Sequence, residues 1–168
     1  ALCLLDPKSS GSVNFWNTES EKMESIDELD DEGMRSFRRN MQMIFQDPYE
    51  SLNPRWTIKD IIKEPLDIHN IGALNDREEA VIEILRTVGL TPPENYLARY
   101  PHEISGGQRQ RVSIARTLIM KPKFVICDEP TSMLDVSIRI SIMDLMLNLA
   151  KDLNVCLLYT SPSPRDRI

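Results

Sequence analysis

Ser105-Gly106-Gly107-Gln108-Arg109-Gln110-Arg111 leads, through one helical stretch, to Phe124-Val125-Ile126-Cys127-Asp128-Glu129-Pro130 and then to Ser132-Met133-Leu134-Asp135. Residues 108–119 carry apolar side chains at 112, 114, 115, 118 and 119, the spacing of one buried helix face. Ser105 stands where that helix begins and can cap its exposed N–H groups. The two glycines allow close backbone approach and conformations closed to other residues. The partial positive charge of a helix start favours an anion such as phosphate. Alone, Ser-Gly-Gly reads as an ordinary glycine-containing loop; Gln108-Arg109-Gln110-Arg111 and the strand that follows give it weight.

Four apolar residues in a row, Phe124 to Cys127, are closed by Pro130. That pattern suits a strand buried on both faces of a parallel sheet. Asp128 then stands at the carboxyl edge of the sheet, where ligands of open α/β folds bind. A hard oxygen there can hold Mg²⁺, directly or through its water shell. Glu129, one residue on, can orient and polarise a water. An Asp-Glu pair is usually a solvated turn, but a hydrophobic strand immediately before it favours a site.

Outward from this centre, Gly11-Ser12-Val13-Asn14-Phe15-Trp16 alternates like a half-buried strand. Glu19 to Glu32 is acid-rich and precedes Arg35, Arg38 and Arg39, which reads as a solvated loop and helix. Met41 to Phe45 is a short buried strand that delivers Gln46 to the ligand edge. Thr57 with Asp60 suggests a capping box, and Ile58, Ile61, Ile62 and Leu66 form a stripe. Asn75 with Glu78 repeats the start signal, Val81, Leu85 and Val88 fill a face, and Gly89 closes it. Pro92-Pro93 opens a third short helix around Tyr96-Leu97. Residues from about 50 to 105 thus read as a helical insertion in an α/β lobe.

The two central blocks resemble the signature and Walker B motifs of ATP-binding cassette (ABC) ATPases, and Ser132 to Asp135 resembles their D-loop. Phe45-Gln46-Asp47-Pro48 is similar to the Q-loop. The longer string Gln46 to Pro54, with Thr57 to Ile62 and Glu64-Pro65-Leu66, resembles the ATP-binding subunits of the oligopeptide, dipeptide and nickel import subfamily. Tyr100 to Ser105 fits the same group. The similarity runs from about Leu4 to about Leu158.

The resemblance implies an ABC-type P-loop NTPase: a RecA-like α/β lobe with an inserted helical subdomain, truncated at both ends. Residues 1–49 would belong to the α/β lobe, 50–105 to the helical subdomain, 106–159 to the signature helix, Walker B strand and D-loop, and 160–168 to a disordered or foreign tail. ATP and Mg²⁺ are the implied cofactors. Glu129 and Gln46 are the implied catalytic pair, and Asp128 with Gln46 the implied metal site. Ser105, Gly106, Gly107, Gln108 and Asp135 would bind nucleotide. A head-to-tail pair, with a second copy or a related subunit, would hold each ATP between one chain's phosphate loop and the other's signature tip. Permease subunits would be the membrane partners, with Tyr49, Leu52 and Trp56 as candidates to line the groove that receives them, Trp56 reading equally well as packing inside the helical lobe; a solute-binding protein would join indirectly. The implied place is the cytoplasmic face of the membrane.

Two departures accompany the resemblance. The family's Gly-x-x-x-x-Gly-Lys-Ser/Thr loop is absent from the sequence: the 6 glycines stand at 11, 33, 72, 89, 106 and 107, and none precedes a lysine. Ala1-Leu2-Cys3-Leu4-Leu5 resembles the tail of the helix that such a loop would open, so the loop is expected upstream, and the fragment alone is expected to be inactive. At the other end, Val155 to Tyr159 reads as another buried strand, after which the family places Thr-His. Here Thr160 is followed by Ser161. The 2 histidines lie elsewhere: His69 reads as a surface residue and His102 as a structural hydrogen-bonding one.

A net charge of −6 and a pI near 5.0 argue against nucleic acid as the main partner. No apolar run approaches the roughly 20 residues that span a bilayer. The 3 cysteines, at 3, 127 and 156, lie within apolar runs without metal-like spacing and read as buried thiols. The function implied is ATP hydrolysis powering import of peptides or related small solutes. The alternative is a soluble ABC ATPase acting on nucleic acid or ribosomes.

Overall fold

The computed structural model describes residues 11–17, 21–47 and 51–160. Its centre is a three-stranded parallel sheet. Strands β3 (Met41–Ile44), β4 (Phe124–Asp128) and β5 (Cys156–Thr160) lie in that order. Parallel neighbours need long crossovers. The β3–β4 crossover is made by helices α2 (Ile58–Ile68), α3 (Leu74–Thr87), α4 (Glu94–Leu97) and α5 (Gly106–Leu118). The β4–β5 crossover is α6 (Val136–Asp152).

Only the central strand is buried as the sequence predicts: Val125, Ile126 and Cys127 are all buried. In β3 only Ile44 is buried, while in β5 Leu158 and Tyr159 are exposed. The expectation of two further buried strands is corrected. β3 and β5 are the outer strands of the described sheet, and an apolar residue there is buried only if another element covers it. Cys156, expected as a buried thiol, is exposed for the same reason. Cys3 lies outside the described residues.

Before β3, strands β1 (Asn14–Asn17) and β2 (Lys22–Ser25) pair antiparallel, with Trp16 opposite Met23. The acid-rich stretch therefore contains a strand that its own pattern does not signal. Helix α1 (Asp31–Asn40) comes next, capped by Asp30, whose Oδ1 accepts from Gly33 N at 2.8 Å. Acids open α1 and Arg38 and Arg39 close it, matching its dipole.

In the helical stretch the cap chemistry is locally specified. Thr57 Oγ1 accepts from Asp60 N at 3.2 Å and donates to the Asp60 carboxylate at 2.6 Å. The predicted stripe Ile58, Ile61, Ile62 and Leu66 is buried. Helix α3 begins earlier than Asn75 and Glu78 suggest. Its cap is Ala73, whose N–H donates to Asp76 Oδ2 at 3.2 Å, because Asp76 stands three residues beyond the cap. Gly89 ends α3 at φ +74°, with Leu90 N donating to Leu85 O at 2.9 Å, a Schellman closure.

One hydrophobic cluster joins all of this. Ile58 and Ile62 of α2, Leu85 of α3, Val112 and Ile114 of α5, Val125 of β4 and Ile142 of α6 belong to it. The helices are thereby packed on the same core as the sheet, which fixes α5 relative to the ends of β3 and β4.

Candidate functional site

The register of β3 on β4 pairs Ile44 with Cys127, so the two strands end together. The next residues, Phe45, Gln46 and Asp47 from β3 and Asp128 from β4, emerge at one edge. Together with Ser51 and Arg116 they line a cleft of about 420 Å³. The sequence-predicted Gln46 and Asp128 are thus brought together.

Glu129 succeeds Asp128 with φ +41°, in the left-handed region that non-glycine residues seldom adopt. Its carbonyl accepts from both Ser132 N and Ser132 Oγ at 3.0 Å, which turns the chain sharply off the strand. Buried Thr131 ties the turn to β5 through a 3.3 Å contact with the Tyr159 hydroxyl. The turn opens into Asp135, the cap residue of α6, which is exposed and makes no side-chain cap bond. Cys127, behind the site, is fully enclosed, and burial pushes its thiol up to about 12.

At the start of α5, Ser105 Oγ accepts from Gln108 N at 3.3 Å, while Gln108 Oε1 accepts from Ser105 N at 3.0 Å. This is a complete capping box. Gln108 Nε2 also donates to the Tyr96 hydroxyl at 3.4 Å, anchoring the tip to α4. Neither glycine takes the conformation closed to other residues that the sequence suggests. Both lie within the helix and neither has positive φ. A Cβ on Gly107 would come within 2.8 Å of Ile138 Cγ2, so that glycine lets α6 pack closely on α5. A Cβ on Gly106 would meet only Leu134 Cδ2, at 3.8 Å, so this backbone remains approachable.

The tip and the cleft are far apart. Ser105 caps the helix that carries Arg116 into the cleft. Eleven residues at 1.5 Å each separate them by roughly 16 Å along the axis. Within one chain, therefore, Ser105 to Gln108 and the Gln46–Asp128 cleft do not converge on one phosphate.

The donor set in the cleft fits a divalent magnesium ion. Asp128 offers a carboxylate and Gln46 an amide oxygen, both hard ligands. Among the described residues no cluster of three or more His, Cys, Asp or Glu could form a metal cage. Mg²⁺ ordinarily uses one or two protein oxygens and completes its shell with water and phosphate.

Other expectations are redistributed. Tyr49 lies outside the described residues. Leu52 is buried in the core. Trp56 is 39% exposed and lines a groove with Asp60, Lys63, Glu64, Asp67 and Ile68, so it is not core packing of the helical stretch. His69, read as a surface residue, is half-buried and caps the end of α2. His102 is exposed, and its ring stacks on Tyr100 with centroids 5.6 Å apart, in place of the structural hydrogen bond expected. Arg116 was not legible as a cleft residue. In the sequence it is one more polar position on an amphipathic helix, and only the packing of α5 against α2 aims it inward.

The family model described as ABC transporter matches residues 1–132. The chain belongs to the ABC transporter family. It is 49% identical over 141 residues to the oligopeptide transport ATP-binding protein AppF of Bacillus subtilis (strain 168), covering 83% of this chain and 42% of that protein. It is 53% identical over 124 residues to OppF of the same organism, also named an oligopeptide transport ATP-binding protein, covering 73% of this chain and 40% of OppF. The glutathione import ATP-binding protein GsiA of Escherichia coli (strain K12) is 48% identical over 136 residues, covering 81% of this chain and 22% of that protein. The chain thus spans about two-fifths of the length of the first two relatives. A dimeric structure of the ATP-binding cassette MJ0796, in a post-hydrolysis state bound to ADP and Pi, superposes with a TM-score of 0.73 at 30% identity, covering 95% of this chain and 66% of that one. The expected fold class, an ABC-type α/β P-loop NTPase, is the observed one. No helix among the described residues is long and apolar enough to cross a membrane.

Proposed function

We propose that this chain belongs to an ATP-binding, ATP-hydrolysing subunit that powers import of peptides or related small solutes. The observation that carries the reading is the meeting of Gln46 and Asp128 in one cleft at the common end of two parallel strands. Asp128, with the Gln46 amide oxygen, would hold Mg²⁺ directly or through water, and the ion, when bound, would supply charge neutralisation for a phosphoryl group in transfer. Glu129 orients the attacking water and accepts its proton, and Gln46 helps position that water. Ser105, Gly106, Gly107 and Gln108 present a helix start to phosphate oxygens, and Asp135, next in sequence to the Leu134 that faces Gly106, joins the same contact.

Because the tip stands roughly 16 Å from its own cleft along α5, the tip serves a nucleotide held by a second ATP-binding subunit, paired head to tail. Residues 1–49 and 106–159 form the α/β lobe of this subunit and 50–105 its helical subdomain. The solute class is supported by relatives named for oligopeptide transport and glutathione import. Permease subunits are the direct membrane partners, and a solute-binding protein acts through them, which puts the subunit at the cytoplasmic face. The test is purification of a tagged chain, extended to its relatives' length, from detergent-solubilised membranes. Permease subunits and Mg²⁺-dependent ATP turnover are expected in the same fraction. Co-purification with nucleic acid or ribosomes and no permease would overturn the reading.

A further inference from the structure

Arg116 and Phe45 are shared by two cavities. They line the Asp128 cleft, and they also line a groove bounded by Pro65, Ile68 and His69 at the end of α2. Arg116 stands in this partition between carboxylates on both sides. Its Nη2 donates to Glu64 Oε2 of α2 at 2.7 Å, while Asp47 and Asp128 share its cleft. Arg116 Nε is buried and has no hydrogen-bond partner among the described residues. A guanidinium carries five donors in a rigid fork and stays charged. This one therefore has capacity beyond the single oxygen it grips.

A fixed positive charge beside a cation site opposes the cation, and the opposition weakens as a carboxylate neutralises that charge. We propose that Arg116 is a positioning residue for the divalent ion in the Asp128 cleft, with Glu64 setting how much of its charge reaches the cleft. This rests on the reading that the cleft takes Mg²⁺ with nucleotide. With Glu64 engaged, Arg116 is drawn toward α2 and the cleft accepts the ion. With Glu64 disengaged, Arg116 is released toward Asp47 and Asp128 and competes with it. The position of α2 thereby tunes metal affinity through one ion pair.

The test uses the chain extended to its relatives' length, with Mn²⁺ and a non-hydrolysable ATP analogue, monitoring the free-Mn²⁺ signal by electron paramagnetic resonance. Glu64→Gln should raise the half-saturating Mn²⁺ concentration ~3- to 10-fold, the size of one charge acting on a divalent ion across a solvated cleft. Arg116→Met should lower it by a similar factor, the double variant should return close to the unsubstituted value, and Arg116→Lys should stay within about twofold of it. Shifts in the same direction for Glu64→Gln and Arg116→Met, or no shift in either, would overturn the proposal. If Arg116→Met fails to fold by circular dichroism, Glu64→Gln and Arg116→Lys decide between the same outcomes. If the unsubstituted protein takes up no Mn²⁺ with the analogue, the reading of the cleft fails and the proposal falls with it.

Discussion

Burial in the core changes the chemistry of Cys127. Burial pushes its thiol from 9.0 up to about 12, so the folded protein keeps a proton that the unfolded chain gives up earlier. Above pH 9 the unfolded state binds fewer protons than the native state, so stability falls as pH rises from 9 toward 12. The slope from this group reaches about 1.4 kcal/mol per pH unit within that window. Chemical denaturation between about pH 8 and 11 should show a steeper alkaline loss for the unsubstituted chain than for Cys127→Ala; equal slopes would mean that the thiol is not so enclosed. Residue-scale readings from sequence hold where one side chain acts locally. The Ser105 cap and the Thr57–Asp60 pair are both present. They fail where a neighbour decides the outcome. Gly107 is required by Ile138, a contact between helices that no local pattern announces.

At the scale of elements, the apolar stripe of α2 was legible because a 3.6-residue period needs no partner to be recognised. Ile58 and Ile62 are 0% exposed, whereas Ile68 on the same helix is 67% exposed. Ile62→Ala should therefore cost about 2–5 kcal/mol of stability, and Ile68→Ala within about 0.5 kcal/mol of nothing, in denaturant melts. Similar losses for both would contradict the packing described. Strand β2 was not legible. It is four residues long, its Met23 is exposed, and only its pairing with β1 makes it a strand. The burial of β3 and β5 was overestimated for a related reason, since apolar strands that stand at the edge of the described sheet look the same in sequence as central ones.

At the scale of the whole molecule, the order of the elements carried the fold. A strand leading to Gln46, a helical crossover, a capped α5, and a strand ending in Asp128 are all readable along the chain, and together they give the family's architecture. The convergence of Gln46 with Asp128 required the sheet register, and the separation of Ser105 from that cleft required the length of α5. The sequence has no Gly-x-x-x-x-Gly-Lys-Ser/Thr motif, the usual source of phosphate-binding amides and lysine. The 168-residue chain alone should therefore bind ATP at least ~100-fold more weakly than a form extended to its relatives' length, the difference that about 2.7 kcal/mol of lost phosphate contacts makes. Calorimetry finding micromolar affinity for the chain alone would refute this.

If Glu129, held at the end of β4 by its tight turn, activates the water that attacks ATP, replacing its carboxylate must stop turnover. The direct measurement is ATP turnover and nucleotide retention by Glu129→Gln in the extended form. Turnover is predicted to fall by roughly 10²-fold or more, the size of a lost general base, while Mg²⁺-ATP remains bound and uncleaved. Undiminished turnover would contradict the account.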